Sequence, residues 1–69
     1  MDVRALVYAV RRLAVTVRRH GPPRPDLRTR AGRAVKAEAQ RLAAPFEAVA
    51  WWELLEGAEE LTKEPYDQV

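Results

Sequence analysis

Sixty-nine residues allow one small domain at most, and 48% hydrophobic with 32% charged residues is a globular composition, not a disordered one. Twelve of the apolar residues are alanine, which bury little area, and cysteine, serine and asparagine are absent. A disulfide and a thiolate metal site are therefore excluded, and the thin core is expected to need a partner. The net charge is only +2, yet the charges are segregated: eleven Lys and Arg against three acids in residues 1–44 (+8), one Lys against seven acids in residues 45–69 (−6). Either the acidic segment folds onto the basic one, or each meets a different partner, a second copy of the chain included. Arginine outnumbers lysine ten to two, which favours bidentate carboxylate or phosphate contacts.

The spacing predicts a first helix over residues 3–19. Asp2 caps it, and Val3, Leu6, Val7, Val10, Leu13, Ala14 and Val17 recur at three- to four-residue intervals as one apolar stripe. Arg4, Arg11 and Arg18 repeat every seven residues on the opposite side, with Arg12 and Arg19 beside them and Tyr8 and Val15 interspersed. The segment is Arg-rich and acid-poor like an organelle transit peptide, but it contains no serine and is read as part of the domain. Gly21-Pro22-Pro23-Arg24-Pro25 reads as a helix stop and a stiff polyproline corner within a connector over residues 20–26.

A second helix is predicted over residues 27–43, capped by Asp26. Its apolar stripe of Leu27, Ala31, Ala34, Val35 and Leu42 is thin and interrupted by Glu38, its outer side carries Arg30, Arg33, Lys36, Gln40 and Arg41, and Gly32 weakens it. Pro45 suits a first helical position, so a third helix is predicted over residues 45–61 with Phe46, Ala50, Leu54, Ala58 and Leu61 as its apolar row, widened by Trp51 and Leu55. Residues 62–69 read as a tail. The fold class is all-α, a hairpin-like or open three-helix bundle forming a single domain over residues 1–69.

Catalytic chemistry finds little support. His20 is the sole histidine, and no serine or cysteine nucleophile exists. Glu53, Glu56 and Glu60 share a helix face at i, i+3 and i+7, but the Glu-x-x-His partner of a di-iron bundle is missing. They read as an acidic face solvated or paired with arginine, and neither metal nor cofactor is expected. No run of 18 apolar residues exists, so no transmembrane helix is expected, and membrane contact is not favoured because helix one lacks Trp and Phe.

Three signals point to function. Residues 35–54 resemble a helix-turn-helix in the spacing of Ala39, Leu42, Ala43, Val49 and Trp52, but Pro45 occupies the turn, and Glu47, Glu53 and Glu56 would repel phosphate. The basic face of Arg4, Arg11, Arg12, Arg18, Arg19, Arg30 and Arg33 suits either phosphates or the acidic third helix. Trp51-Trp52 is the third: adjacent helical residues point about 100° apart, so one core cannot take both, and Trp52 is left among glutamates as an interface anchor.

These signals add up to a non-enzymatic helical assembly subunit or adaptor acting through helix–helix contacts, cytoplasmic or part of a larger complex such as a virion. Its expected partner is another protein or a second copy. The expected interface comprises Val3, Leu6, Val10, Leu13, Val17, Trp51, Trp52 and Leu55, with arginines of the first two helices pairing with carboxylates of the third, within or between chains. The alternative is a small basic nucleic-acid-binding regulator.

Overall fold

The computed structural model describes residues 2–20 and 26–63, which form an all-α three-helix bundle: α1 (Val3–Arg19), α2 (Arg30–Ala43) and α3 (Trp51–Lys63). The Asp2 carboxylate accepts the backbone N–H of Arg4 at 3.0 Å and of Ala5 at 3.4 Å. It satisfies two donors that the first turn of α1 leaves open and places negative charge at the positive end of the dipole. Ala9, Leu13 and Val17, at i, i+4 and i+8, face the interior with Ala14. The alanine at position 9 belongs to the buried row, whereas Val3 and Val7 of the predicted stripe are exposed.

α2 begins three residues later than the sequence suggested, because Asp26 closes a turn instead of capping a helix. Its carboxylate accepts the Arg28 backbone N–H at 2.9 Å and the Arg28 guanidinium at 2.8 and 3.2 Å. Its carbonyl accepts the Thr29 hydroxyl at 2.6 Å and the Thr29 N–H at 3.0 Å. The Thr29 oxygen in turn accepts the Gly32 N–H at 3.0 Å, so threonine is the N-cap. This turn lies directly on the helix. A Cβ built on Gly32 would overlap the backbone of Asp26 and Leu27, so the glycine that looked like a weak point permits the close approach.

α3 begins six residues later than predicted. After α2 ends, the Ala44 N–H still reaches the Gln40 carbonyl at 3.1 Å and the Phe46 N–H reaches the Ala43 carbonyl at 2.9 Å. Pro45 therefore stops the helix before it rather than starting the next. Residues 44–50 connect the two helices. The true start is set at Ala50, whose carbonyl accepts the N–H groups of Glu53 at 3.0 Å and Leu54 at 3.2 Å. The Glu53 carboxylate accepts the Ala50 N–H at 2.9 Å, which is half of a capping box. At the other end α3 includes Thr62 and Lys63, which the sequence assigned to the tail. The proline corner at 21–25 and the remaining tail, including Tyr66, lie outside the described residues.

Each helix packs on both of the others, and α1 lies most extensively on α3, so the third helix folds back on the first. The Cα radius of gyration is 11.7 Å, near the roughly 11 Å of a folded chain this long. Leu13, Leu54, Leu55, Val17 and Val35 are the large sealed side chains, and alanines supply the other half of the ten-residue core. Alanine lets helices approach closely but contributes little area. The Cα extents of 34 × 29 × 13 Å describe a slab, so much of each helix faces water. Among the described residues no buried side-chain polar atom lacks a partner, and no helix is long and apolar enough to cross a membrane.

Candidate protein interface

Trp51 and Trp52 open α3 and point different ways. Trp51 packs against the core, and the Lys36 ammonium lies 5.2 Å from its ring centroid, a cation–π contact between α2 and α3. Trp52 stands edge-on to Trp51, with centroids 5.7 Å apart and planes at 85°, and remains 55% exposed. Glu53, Glu56 and Glu60 are exposed on the same side of α3. Two of these acids have local partners: Glu53 caps its own helix at Ala50, and Glu60 lies 3.2 Å from Lys63.

Three ion pairs of the described residues are local in sequence. The pairs Arg28–Asp26, Arg41–Glu38 and Lys63–Glu60 join residues only two or three apart. Among the described residues, Arg4, Arg11, Arg12, Arg19, Arg30 and Arg33 meet no carboxylate. The reason is geometric. These six point to solvent from the outer sides of α1 and α2, while Glu53, Glu56 and Glu60 point outward from α3. On α1 the arginines surround two exposed apolar side chains, Tyr8 at 65% exposure and Val15. At Asp26, the Arg28 guanidinium, assisted by the Arg28 backbone N–H, holds the carboxyl below its ordinary range. The same contact holds the guanidinium above its own.

A groove of about 730 Å³ runs between the N-terminal half of α1 and residues 41–48. Tyr8, Leu42, Pro45 and Phe46 provide much of its apolar wall, and Ala48 also lines it. Asp2, Arg41 and Glu47 are its charged lining groups. Sequence reasoning missed this groove, because it read residues 45–50 as helix and a helix there would leave no such opening.

Of the predicted interface residues, Leu13, Val17 and Leu55 have no exposed surface. They complete this chain's own core and cannot reach a partner while it is folded, which corrects their assignment. The buried part of the α1 stripe, Leu13, Ala14 and Val17, packs into this chain's own core. Leu6 and Val10 are half-buried against that core, as is Trp51, while Val3 is exposed at the first turn. Trp52 is the large aromatic on α3 that stays open to solvent. The helix-turn-helix spacing also fails to produce that geometry: residues 44–50 separate α2 from α3, against the three- to four-residue turn of such motifs. Trp52, which the motif would bury behind its second helix, faces water. No known protein family, curated protein or solved structure matches the chain.

Proposed function

We propose that this chain is a non-enzymatic helical assembly subunit or adaptor that works through helix–helix contacts, in the first instance with copies of itself. The observation that carries this reading is Trp52, an indole 55% exposed on the outer side of α3. Tryptophan is a residue type that concentrates binding energy at protein interfaces. Tyr8, Val15, Val7 and Val3 add exposed apolar surface on α1. The half-alanine core supports the reading from the other side, since a slab with so little interior gains from neighbours that cover it. Such a subunit would act in the cytoplasm or inside a larger assembly such as a virion. Sedimentation equilibrium tests it: the weight-average mass rises with concentration, and a chain that stays monomeric throughout overturns the proposal.

A second reading, a small basic nucleic-acid-binding regulator, is favoured by one observation. Six exposed arginines of α1 and α2 meet no described carboxylate. Guanidinium groups placed this way suit phosphates without reading bases. Duplex binding with a steep salt dependence, abolished by Arg11→Ala, Arg12→Ala and Arg19→Ala together, supports this reading; salt-insensitive or absent binding excludes it.

A further inference from the structure

We propose that the groove beside Tyr8 and Phe46 receives Trp52 of a second copy of this chain, so that copies join head-to-tail, α3 of one against the α1 side of the next. This inference rests on the assembly reading and assigns its contact. Four observations lead to it. The groove, about 730 Å³, exceeds the roughly 300 Å³ at which pockets begin to hold organic groups. Its wall offers Tyr8, Phe46 and Pro45, surfaces on which an indole packs edge-to-face or flat. Trp52 does not line the groove of its own chain, so that cavity is open to an indole from outside.

Charge fixes the orientation. Trp52 is flanked by Glu53, Glu56 and Glu60, and the α1 face beside the groove carries Arg4, Arg11 and Arg12. Arg41 lines the groove itself and has one carboxylate neighbour, Glu38 at 2.7 Å. Asp2 and Glu47 are the opposing acids of the lining, fewer than the surrounding guanidinium groups. A symmetric contact of two Trp52 faces would set six carboxylates against one another, and one of two α1 faces would do the same with arginines; like-charge juxtaposition penalises both. Trp52 of one copy against the α1 side of the next pairs the unlike faces. Engaged once per pair of copies, as proposed, it leaves one indole and one groove open and propagates into a ring or an open chain; a wild-type mass that stops at the dimer would instead mark reciprocal exchange about a two-fold axis and overturn the head-to-tail arrangement.

Complementing variants test this. Trp52→Ala keeps the groove and removes the indole. Ala48→Glu, at an exposed lining position, keeps the indole and blocks the groove, and Tyr8→Glu serves as a second blocking variant. Circular dichroism matching the wild type establishes that each folds. Each variant alone is expected to lose self-association by at least about 30-fold. An equimolar mixture of Trp52→Ala with either blocking variant is expected to restore it, stopping at a one-to-one dimer in native mass spectrometry because only one indole and one groove remain usable. If both blocking variants associate like the wild type, or neither mixture exceeds its components, the groove is not the receptor and the inference falls. The assembly reading then stands, with a different contact. If the wild type itself never associates, both fall.

Discussion

Truncating Leu55 separates a core residue from an interface residue by measurement. Its side chain has no exposed surface and belongs to a cluster whose other large fully buried members, among the described residues, are Leu13, Leu54, Val17 and Val35. Leu55→Ala removes the transfer free energy of its lost carbons and leaves a cavity, together about 2–5 kcal/mol in well-packed cores. Here the upper half of that range is expected, because the five core alanines cannot swing inward to refill the space. A chain of this length is stabilised by about 3–10 kcal/mol, so about 3–5 kcal/mol removes a large part of it or all of it. The midpoint of thermal unfolding should fall by about 12 °C or more. Urea unfolding followed by circular dichroism at low concentration gives the free energy directly, with Val3→Ala at an exposed site as the control, expected within about 0.5 kcal/mol of the wild type. A loss below about 1 kcal/mol for Leu55→Ala, or a loss seen only where the chain associates, would place Leu55 at an interface and refute its burial.

The two glycines in the described helices should respond oppositely. Gly57→Ala is expected to stabilise by about 0.5–1 kcal/mol, since a Cβ there meets only Val10 methyl groups at 3.6 and 3.7 Å. Gly32→Ala should destabilise in the same unfolding assay, because the Asp26–Leu27 backbone must move. Thr29→Ala removes the cap on Gly32 and the bond to the Asp26 carbonyl and is expected to cost about 1 kcal/mol. Asp26 should titrate below an ordinary aspartate because of Arg28. A carboxyl depressed in the folded state favours folding at pH values above its unfolded pKa, and that contribution disappears as pH falls through the folded value. An NMR titration of the Asp26 carboxyl checks this, and Arg28→Ala should return it toward the usual range.

Much of the fold was legible where a strong period coincided with a clear cap. In α1 the Asp2 carboxylate and the 3–4 spacing act on the same residues. α2 and α3 were legible as helices but not at their starts. Asp26 and Pro45 are both good helix-initiating residues in isolation, and both were overridden by stronger local partners. Thr29 with Gly32 three positions on, and Ala50 with Glu53 three positions on, occupy the same N-cap and N3 geometry, and that spacing was available in the sequence. Adjacent tryptophans could be separated by angle alone, so the exposure of Trp52 was legible too. The Lys36–Trp51 contact and the groove were not, since both depend on where α2 and residues 44–48 lie against other elements. The helical period placed the arginines opposite the apolar stripe and the three glutamates on one face, but not how the two charged faces lie relative to each other. Segregation along a sequence does not say whether two faces meet within one chain or point away from each other.

The assembly proposal turns on whether Trp52 becomes covered when copies meet. In a Trp51→Phe background Trp52 is the sole indole, and its fluorescence quenching by iodide reports its exposure directly. Quenching should be efficient in dilute solution and fall as concentration raises the sedimentation mass. Association that leaves the quenching unchanged, or an indole already shielded in the monomer, would contradict Trp52 as the contact.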